Sequence, residues 1–426
     1  MPSAIKVTAP ATVGLIRQGS LTIAGSGIRS VGHITLETLS HMGVADKVYY
    51  LVCDPVTKAY IQDNSKGPCI DLSVFYSLDK NRYDSYVEMA EVMLQDVRDG
   101  QDVLGIFYGH PGVFVSPSHR AVSIARQEGY RANMLPGVSA EDYLFADLGF
   151  DPALRGCMSC EATELLMRNR TLDSSVHNII WQVGAIGITT MNYEVKSKFH
   201  LLVDRLVQDF GEDHVIVHYV GAVLPISDPV IETFKISDLR SEDVAKRFNT
   251  VSTFYVPPRH DTGIVDSSMV KALGMAELSS QMARSVHVWE GSRYMLLDPY
   301  GTNELATVAR FRHSGVPSPD TQLLLRASPA MKQFMVDLAL KPNILRSYKA
   351  DPSSVLEGVE GMTVVERVAL KLGTSCAVHV VMHGTRADVI SGRELTVKDL
   401  EVPVGSSAFH VIIIVVIIVT VAIVSY

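Results

Sequence analysis

Ser20-Leu-Thr-Ile-Ala-Gly-Ser-Gly-Ile-Arg-Ser-Val-Gly32 is the stretch on which the fold of this chain turns. Ser20 to Ala24 reads as a buried strand, Gly25 to Gly32 as a glycine turn, and Ile34 to Leu39 as the helix that follows. Strand, glycine turn and helix together let backbone N–H groups meet a ligand. Glycines also simply make turns, so the stretch speaks for architecture before chemistry. Lys47 to Cys53 reads as a second strand and Asp102 to Phe107 as a third. Tyr86, Met89, Val92, Met93 and Val97 recur at helical spacing between Asp84 and Val97. Ser118 to Glu128 is helical, Arg131 to Leu135 extended, and Pro136 to Ala140 opens another helix. Strands alternating with helices imply a mainly parallel α/β sheet.

A second α/β unit is expected from about Asn178 to Pro257. Its strands are Ile179–Val183, Val215–Val220 and Ser252–Val256, with a helix over Lys198 to Phe210. Beyond Pro257-Pro258 the pattern changes. Residues 259–325 read as irregular, Ser328 to Tyr348 and Thr363 to Leu372 as helices, and Gly384 to Ser407 as a polar linker. The expected organisation is a disordered lead-in over 1–18, two α/β lobes over 19–257 and a helical region over 258–385. A linker over 386–409 and an apolar peptide over 410–426 complete it.

The chain has 426 residues, 47% hydrophobic and 20% charged, enough for two or three domains. Its net charge of −8 gives no reason to expect a nucleic-acid partner, which calls for a basic face. Five cysteines are an odd number that favours a reducing compartment, and no signal peptide is read in Met1 to Gln18, so the cytoplasm is expected. Cys157-Met-Ser-Cys160 has redox or zinc spacing, but without a second pair the thiols read as incidental. No metal site is expected.

From Val411 to Val424 every residue is Val, Ile or Ala except Thr420. Three readings compete. As a membrane anchor the run is short, because a helix of that length spans roughly 21 Å against about 30 Å of hydrocarbon, and no Lys or Arg follows Asp399. As a core strand it is long against the usual 5–6 residues or so. As an extended peptide handled by something else it is well suited, since β-branched residues are stiff and prefer extended backbone. Left uncovered it would be an aggregation hazard.

Tyr108-Gly-His-Pro-Gly-Val-Phe114 and Met134-Leu-Pro-Gly-Val-Ser-Ala140 add a further signal. Residues 20–257 resemble the tetrapyrrole-methylase (class III) type of methyltransferase, whose two α/β lobes hold S-adenosylmethionine in the cleft between them. His110 stands where the general pattern has Asp. Over nearly the whole chain the resemblance is to the fungal borosin family, in which such a methylase is fused to a helical clasp and to its own peptide substrate. Tyr76 to Tyr86, Ala140 to Asp147, Gln182 to Gly184 and Ser252 to Pro257 carry it.

That resemblance implies several roles. Tyr86 would be the base, Arg82 the group stabilising phenolate or imidate, and Tyr76 the partner of the substrate carbonyl. Tyr108, His110, Val113, Ala140, Gln182, Gly221, Ser252 and Thr253 would bind S-adenosylmethionine, with S-adenosylhomocysteine as product. Asp142 and Asp147 are expected to serve a helix, and His218 and Tyr219 to pack a lobe. The implied substrate is the tail: Val411, Ile412, Ile413, Ile414, Val415, Val416, Ile417, Ile418, Val419 and Val421. The clasp implies a homodimer in which each tail is methylated by the partner subunit, and a protease or macrocyclase would then free the peptide. No membrane partner is expected. A small-molecule or tetrapyrrole methyltransferase with a short tail anchor is the alternative, and an inactive scaffold whose tail binds a partner is a third.

Overall fold

A computed structural model describes residues 18–78, 80–153, 155–190, 198–259, 266–274, 302–314 and 318–400. The lead-in before Gln18, the tail and all ten expected methylation positions lie outside them. The chain divides into two compact units: Met1–Tyr143 with Gly187–Lys196 and Gly221–Asp228, and Leu144–Ile186 with Ser197–Val220 and Pro229–Tyr426.

The first unit is built on strands β1 (Ser20–Gly25), β2 (Lys47–Leu51), β3 (Cys69–Asp71), β4 (Asp102–Phe107) and β5 (Arg131–Met134), in the order β3-β2-β4-β1-β5. Every pairing is parallel. Central strands β1 and β4 are apolar and almost wholly buried, as a sheet covered on both faces requires. Helices α1 (Leu36–Met42), α2 (Pro55–Asn64), α3 (Arg82–Arg98) and α4 (Ser116–Gln127) make the crossovers. Met89, Met93 and Val97 of α3 lie one turn apart and bury their side chains against Leu21, Ile23 and Val103. Helix α5 (Ala140–Leu148) leads out of this unit.

In the second unit β6 (Cys157–Glu161), β7 (His177–Trp181), β8 (Val215–Val220), β9 (Val230–Lys235) and β10 (Thr253–Val256) are ordered β6-β7-β10-β8-β9. This sheet is mixed. Only β6 and β7 pair in parallel, while β7–β10, β10–β8 and β8–β9 are antiparallel. The loop from Val220 to Val230 is too short for the dozen or more residues a parallel crossover needs, so β8 and β9 pair as a hairpin. Helix α6 (Ala162–Met167) joins the parallel pair, and α7 (Phe199–Phe210) packs Leu202, Val203 and Leu206 on the sheet beside Phe254. Burying a side chain the size of Phe254 stabilises by roughly 1.5–3 kcal/mol.

Residues 318–400 form a helical layer with its own core around Met331, Phe334, Leu356, Leu370 and Val381. The helix expected over Ser328 to Tyr348 is two, Pro329–Leu340 and Pro342–Ala350. Pro342 lacks an N–H and forces Lys341 out of helical geometry, to φ −122° and ψ 90°. Within 259–325, expected to be irregular, Ser267–Ala272 and Thr302–Ser314 are helical. Strand β11 (Leu323–Leu325) pairs with β12 (His383–Thr385). Residues 386–400, expected to begin the linker, hold a helix over Arg386–Ser391 and a turn over Val397–Leu400 whose Leu400 joins the core.

Candidate active site

The carboxyl ends of the first sheet's strands collect the loops that matter. Gly27 and Gly109 exchange backbone hydrogen bonds at 3.2 and 3.0 Å, tying the turn after β1 to the turn after β4. A Cβ on Gly25 would sit 2.2 Å from the Gly109 oxygen, so these turns meet backbone to backbone and only glycine fits. His33 locks the first turn: its Nδ1 accepts the N–H groups of Ile28 and Arg29 at 3.2 and 3.1 Å. Burial, with Arg29 beside it, holds that ring's pKa below the ordinary histidine value. Ser30 N–H and the Arg29 guanidinium donate to the carbonyls of Val223 and Pro225, which seats the segment that starts at Gly221 against the same turn.

Four more expected cofactor residues lie on these loops. Tyr108 follows β4, and burial, with Cys53 and Asp54 adding to it, pushes its hydroxyl pKa up, so it stays a donor. His110 Nδ1 accepts the Gly112 N–H at 2.9 Å. Val113 stands exposed beside Phe114, itself exposed and at φ +57°. Val31, on the turn after β1, has φ +58°, unusual for a β-branched residue. Left-handed backbone at non-glycine residues costs of order 1–3 kcal/mol and gathers at ligand sites. Ala140 opens α5, where Ser139 and Asp142 cap each other through bonds of 2.7 to 3.1 Å. Asp142 therefore serves the helix, and Asp147 accepts the Tyr219 hydroxyl at 2.9 Å.

Gln182, Ser252 and Thr253 belong to the second unit. Gln182 ends β7 in left-handed backbone, φ 59° and ψ 36°. The Val183 N–H donates to the Ser252 carbonyl at 3.1 Å, which brings Gln182 and Ser252 onto neighbouring turns. Ser252 and Thr253 are buried.

Tyr76, Arg82 and Tyr86 come together in the first unit. The rings of Tyr76 and Tyr86 meet edge to face, centroids 6.3 Å apart at 78°, and both pack on the β-sheet core while staying partly open. Asn81 caps α3 by accepting the Tyr83 N–H at 2.9 Å. Arg82 takes the first helical position, and Tyr86 lies one turn on, so both leave the same face. Arg82 is gripped twice by a segment the sequence did not single out. Its N–H donates to Thr189 O at 2.9 Å, and its Nη2 donates to Ile188 O. Among the described residues its guanidinium makes no ion pair. No periodicity or motif pointed to Ile188 and Thr189, because they act through main-chain carbonyls.

Burial pushes the Cys160 thiol up to about 11, so it stays protonated, and none of the five cysteines, all among the described residues, is in a disulfide. Among the described residues no group of three or more His, Cys, Asp or Glu could hold a metal, and no helix is long and apolar enough to cross a membrane.

Comparison with known proteins adds to this geometry. A family described as Tetrapyrrole (Corrin/Porphyrin) Methylases matches residues 20–223, and one described as Borosin biosynthesis clasp domain matches residues 299–422. A type I borosin cyclic peptide precursor and methyltransferase of Serendipita vermifera subsp. bescii is 53% identical over 388 residues, 90% of this chain and 94% of that one. The corresponding protein of Mycena rosella is 53% identical over 404 residues, 95% and 100% of the two chains. That of Gymnopilus junonius is 51% identical over 386 residues, 89% and 90%.

Proposed function

The chain belongs to the borosin family of methyltransferase–peptide precursors, and from that premise we propose that it methylates the backbone amide nitrogens of its own Val/Ile-rich tail, using S-adenosylmethionine. The observation that carries the reading is a methylase, a clasp and the run from Val411 to Val421 in one polypeptide, with the tyrosine–arginine cluster formed in the first unit.

An amide nitrogen is a poor nucleophile because its lone pair is delocalised into the carbonyl. When bound, S-adenosylmethionine supplies a methyl carbon on a positively charged sulfur and leaves as S-adenosylhomocysteine. A Cβ at Gly25 would meet the Gly109 oxygen and one at Gly27 the His33 side chain, so the loops we assign to such a nucleoside are drawn close by glycine. By the family resemblance, Tyr108, His110, Val113, Ala140, Gln182, Gly221, Ser252 and Thr253 are the residues we assign to it. Tyr86, as phenolate, takes the amide proton. Arg82 stands one helical turn away on the same face of its helix. Loss of the amide proton would free the nitrogen pair for the methyl group that the bound donor would supply. Charge gathering on the carbonyl oxygen is met by the Tyr76 hydroxyl and the Arg82 field, an oxyanion-type stabilisation worth several kcal/mol when preorganised. Fusion of substrate to enzyme supplies proximity.

The tail must pass residue by residue through one site, which a chain folded against its own catalytic lobe allows poorly. Our reading is therefore a two-fold homodimer with methylation across subunits, followed by release of the peptide by a protease or macrocyclase. The test is co-expression of full-length Arg82→Ala protein with an active chain truncated after Ser407. Methylation of the inactive chain's tail supports transfer between subunits. Mixed dimers whose tail stays unmodified refute it.

A further inference from the structure

His218 lies on β8 directly opposite Glu232 of β9 and beside Phe254 of β10. The Phe248 ring meets its edge with centroids 4.9 Å apart. Both of its nitrogens are committed. Nδ1 is 3.0 Å from Glu232 Oε2, and Nε2 is 2.8 Å from Ser252 Oγ. Glu232 is itself held by Arg247, at 2.9 Å to Oε1. A carboxylate only accepts, so Nδ1 carries the proton, and Nε2 of the uncharged ring accepts the Ser252 hydroxyl. Burial favours that uncharged state against the pull of Glu232 and lowers the pKa of His218. The Ser252 oxygen in turn accepts the Asn249 N–H at 3.0 Å, and the Ser252 carbonyl accepts the Val183 N–H at 3.1 Å.

The two turns so joined touch at their backbones. A Cβ on Gly184 would fall 2.3 Å from the Asn249 oxygen, so the Gln182–Gly184 turn fits the Asn249–Ser252 turn at one setting only. Gln182 itself is held in left-handed backbone, which persists only when its surroundings enforce it. Ser252 is wholly covered and its hydroxyl group is engaged by His218 and Asn249, so its part in the cofactor site is to place its neighbours.

We propose that His218 is a positioning residue for the methyl-donor edge of the second unit: by bridging Glu232 and Ser252 it sets the two turns against each other and thereby holds Gln182 in place. This rests on the assignment of Gln182 to the cofactor made above.

The experiment is calorimetric titration of the full-length protein with S-adenosylhomocysteine, with thermal midpoints measured in parallel. His218→Phe keeps a ring but removes both hydrogen bonds, and Ser252→Ala removes the hydroxyl. Each is expected to weaken binding roughly tenfold, with the double variant no worse than either. His218→Gln, which restores an acceptor toward Ser252, should recover most of the loss. If His218→Phe does not fold, Ser252→Ala and Glu232→Gln carry the comparison. Affinities within about twofold of the parent, with lowered thermal midpoints alone, would make His218 core filling and overturn the proposal. Gln182→Ala separates the two levels. Weakened binding there with none in the relay variants sinks the positioning role alone. Unchanged binding in Gln182→Ala sinks the cofactor assignment, and this inference with it.

Discussion

Arg82 and Glu366 both sit in the first turn of a helix, and their surroundings are opposite. Glu366 is buried, and its carboxylate accepts the Ser328 N–H at 2.7 Å, the Ser328 hydroxyl at 2.9 Å and the Thr363 N–H at 2.8 Å. It thereby helps start two helices, Pro329–Leu340 and Val364–Leu372, and an anion there faces the positive end of each dipole. Burial opposes its charge, but those hydrogen bonds outweigh it and hold the carboxyl below the usual range. Arg82 is a cation at the same helical end, which the dipole disfavours by about 0.3–1 kcal/mol. Its guanidinium is met by a neutral carbonyl rather than a carboxylate. Glu366 is placed where its charge stabilises the fold, whereas Arg82 gives its guanidinium to one neutral carbonyl at a helical end that disfavours a cation, as expected of a group with the role proposed above.

Substitutions should separate the two kinds of site cleanly. Tyr86→Phe keeps the ring that packs on the core and deletes the proposed base, so methyl transfer should fall by about 10²–10⁴ in single-turnover assays, with the thermal midpoint unmoved. Arg82→Ala should cost about 10²–10³ in the same assay and leave binding of S-adenosylhomocysteine intact. Should Arg82→Ala instead lower stability and spare the rate, the contrast with Glu366 collapses.

Glu366→Ala should do the reverse, lowering the stability of the helical region by about 3 kcal/mol because three donors lose their acceptor. Chemical denaturation checks this. Its pH dependence sharpens the point. A carboxyl whose folded pKa is depressed contributes above its unfolded value, about 4.3 for glutamate, and loses that contribution as pH falls through the folded value. The stability gap between parent and Glu366→Ala should therefore be full at neutral pH and narrow below that range. Thr363→Ala, which removes one capping hydroxyl from the Glu366 N–H, should cost only about 1 kcal/mol.

Much of the first sheet could be read directly, because buried parallel strands are continuous apolar runs separated by glycine turns. Asp102–Phe107 and the α3 helix were expected almost where they lie. In the second sheet β6 and β9 escaped notice. Cys157–Glu161 and Val230–Lys235 mix polar residues into edge strands, which weakens the pattern. The single helix expected over Ser328 to Tyr348 overlooked Pro342. Residues 386–400 looked like a linker because their only buried apolar anchor is Leu400, too little for a period. At the proposed site, Tyr76, Arg82 and Tyr86 were assigned through resemblance, not from spacing. Their bracing by Ile188 and Thr189 was beyond any side-chain pattern, since backbone carbonyls belong to every residue.

The central claim is that this enzyme's substrate is its own tail, and mass spectrometry of the purified full-length chain tests it most directly. After incubation with S-adenosylmethionine the mass should rise in whole methyl steps, and fragment ions should place every added methyl on backbone nitrogens between Val411 and Val421. A tail that stays unmodified after prolonged incubation with the cofactor would contradict the account.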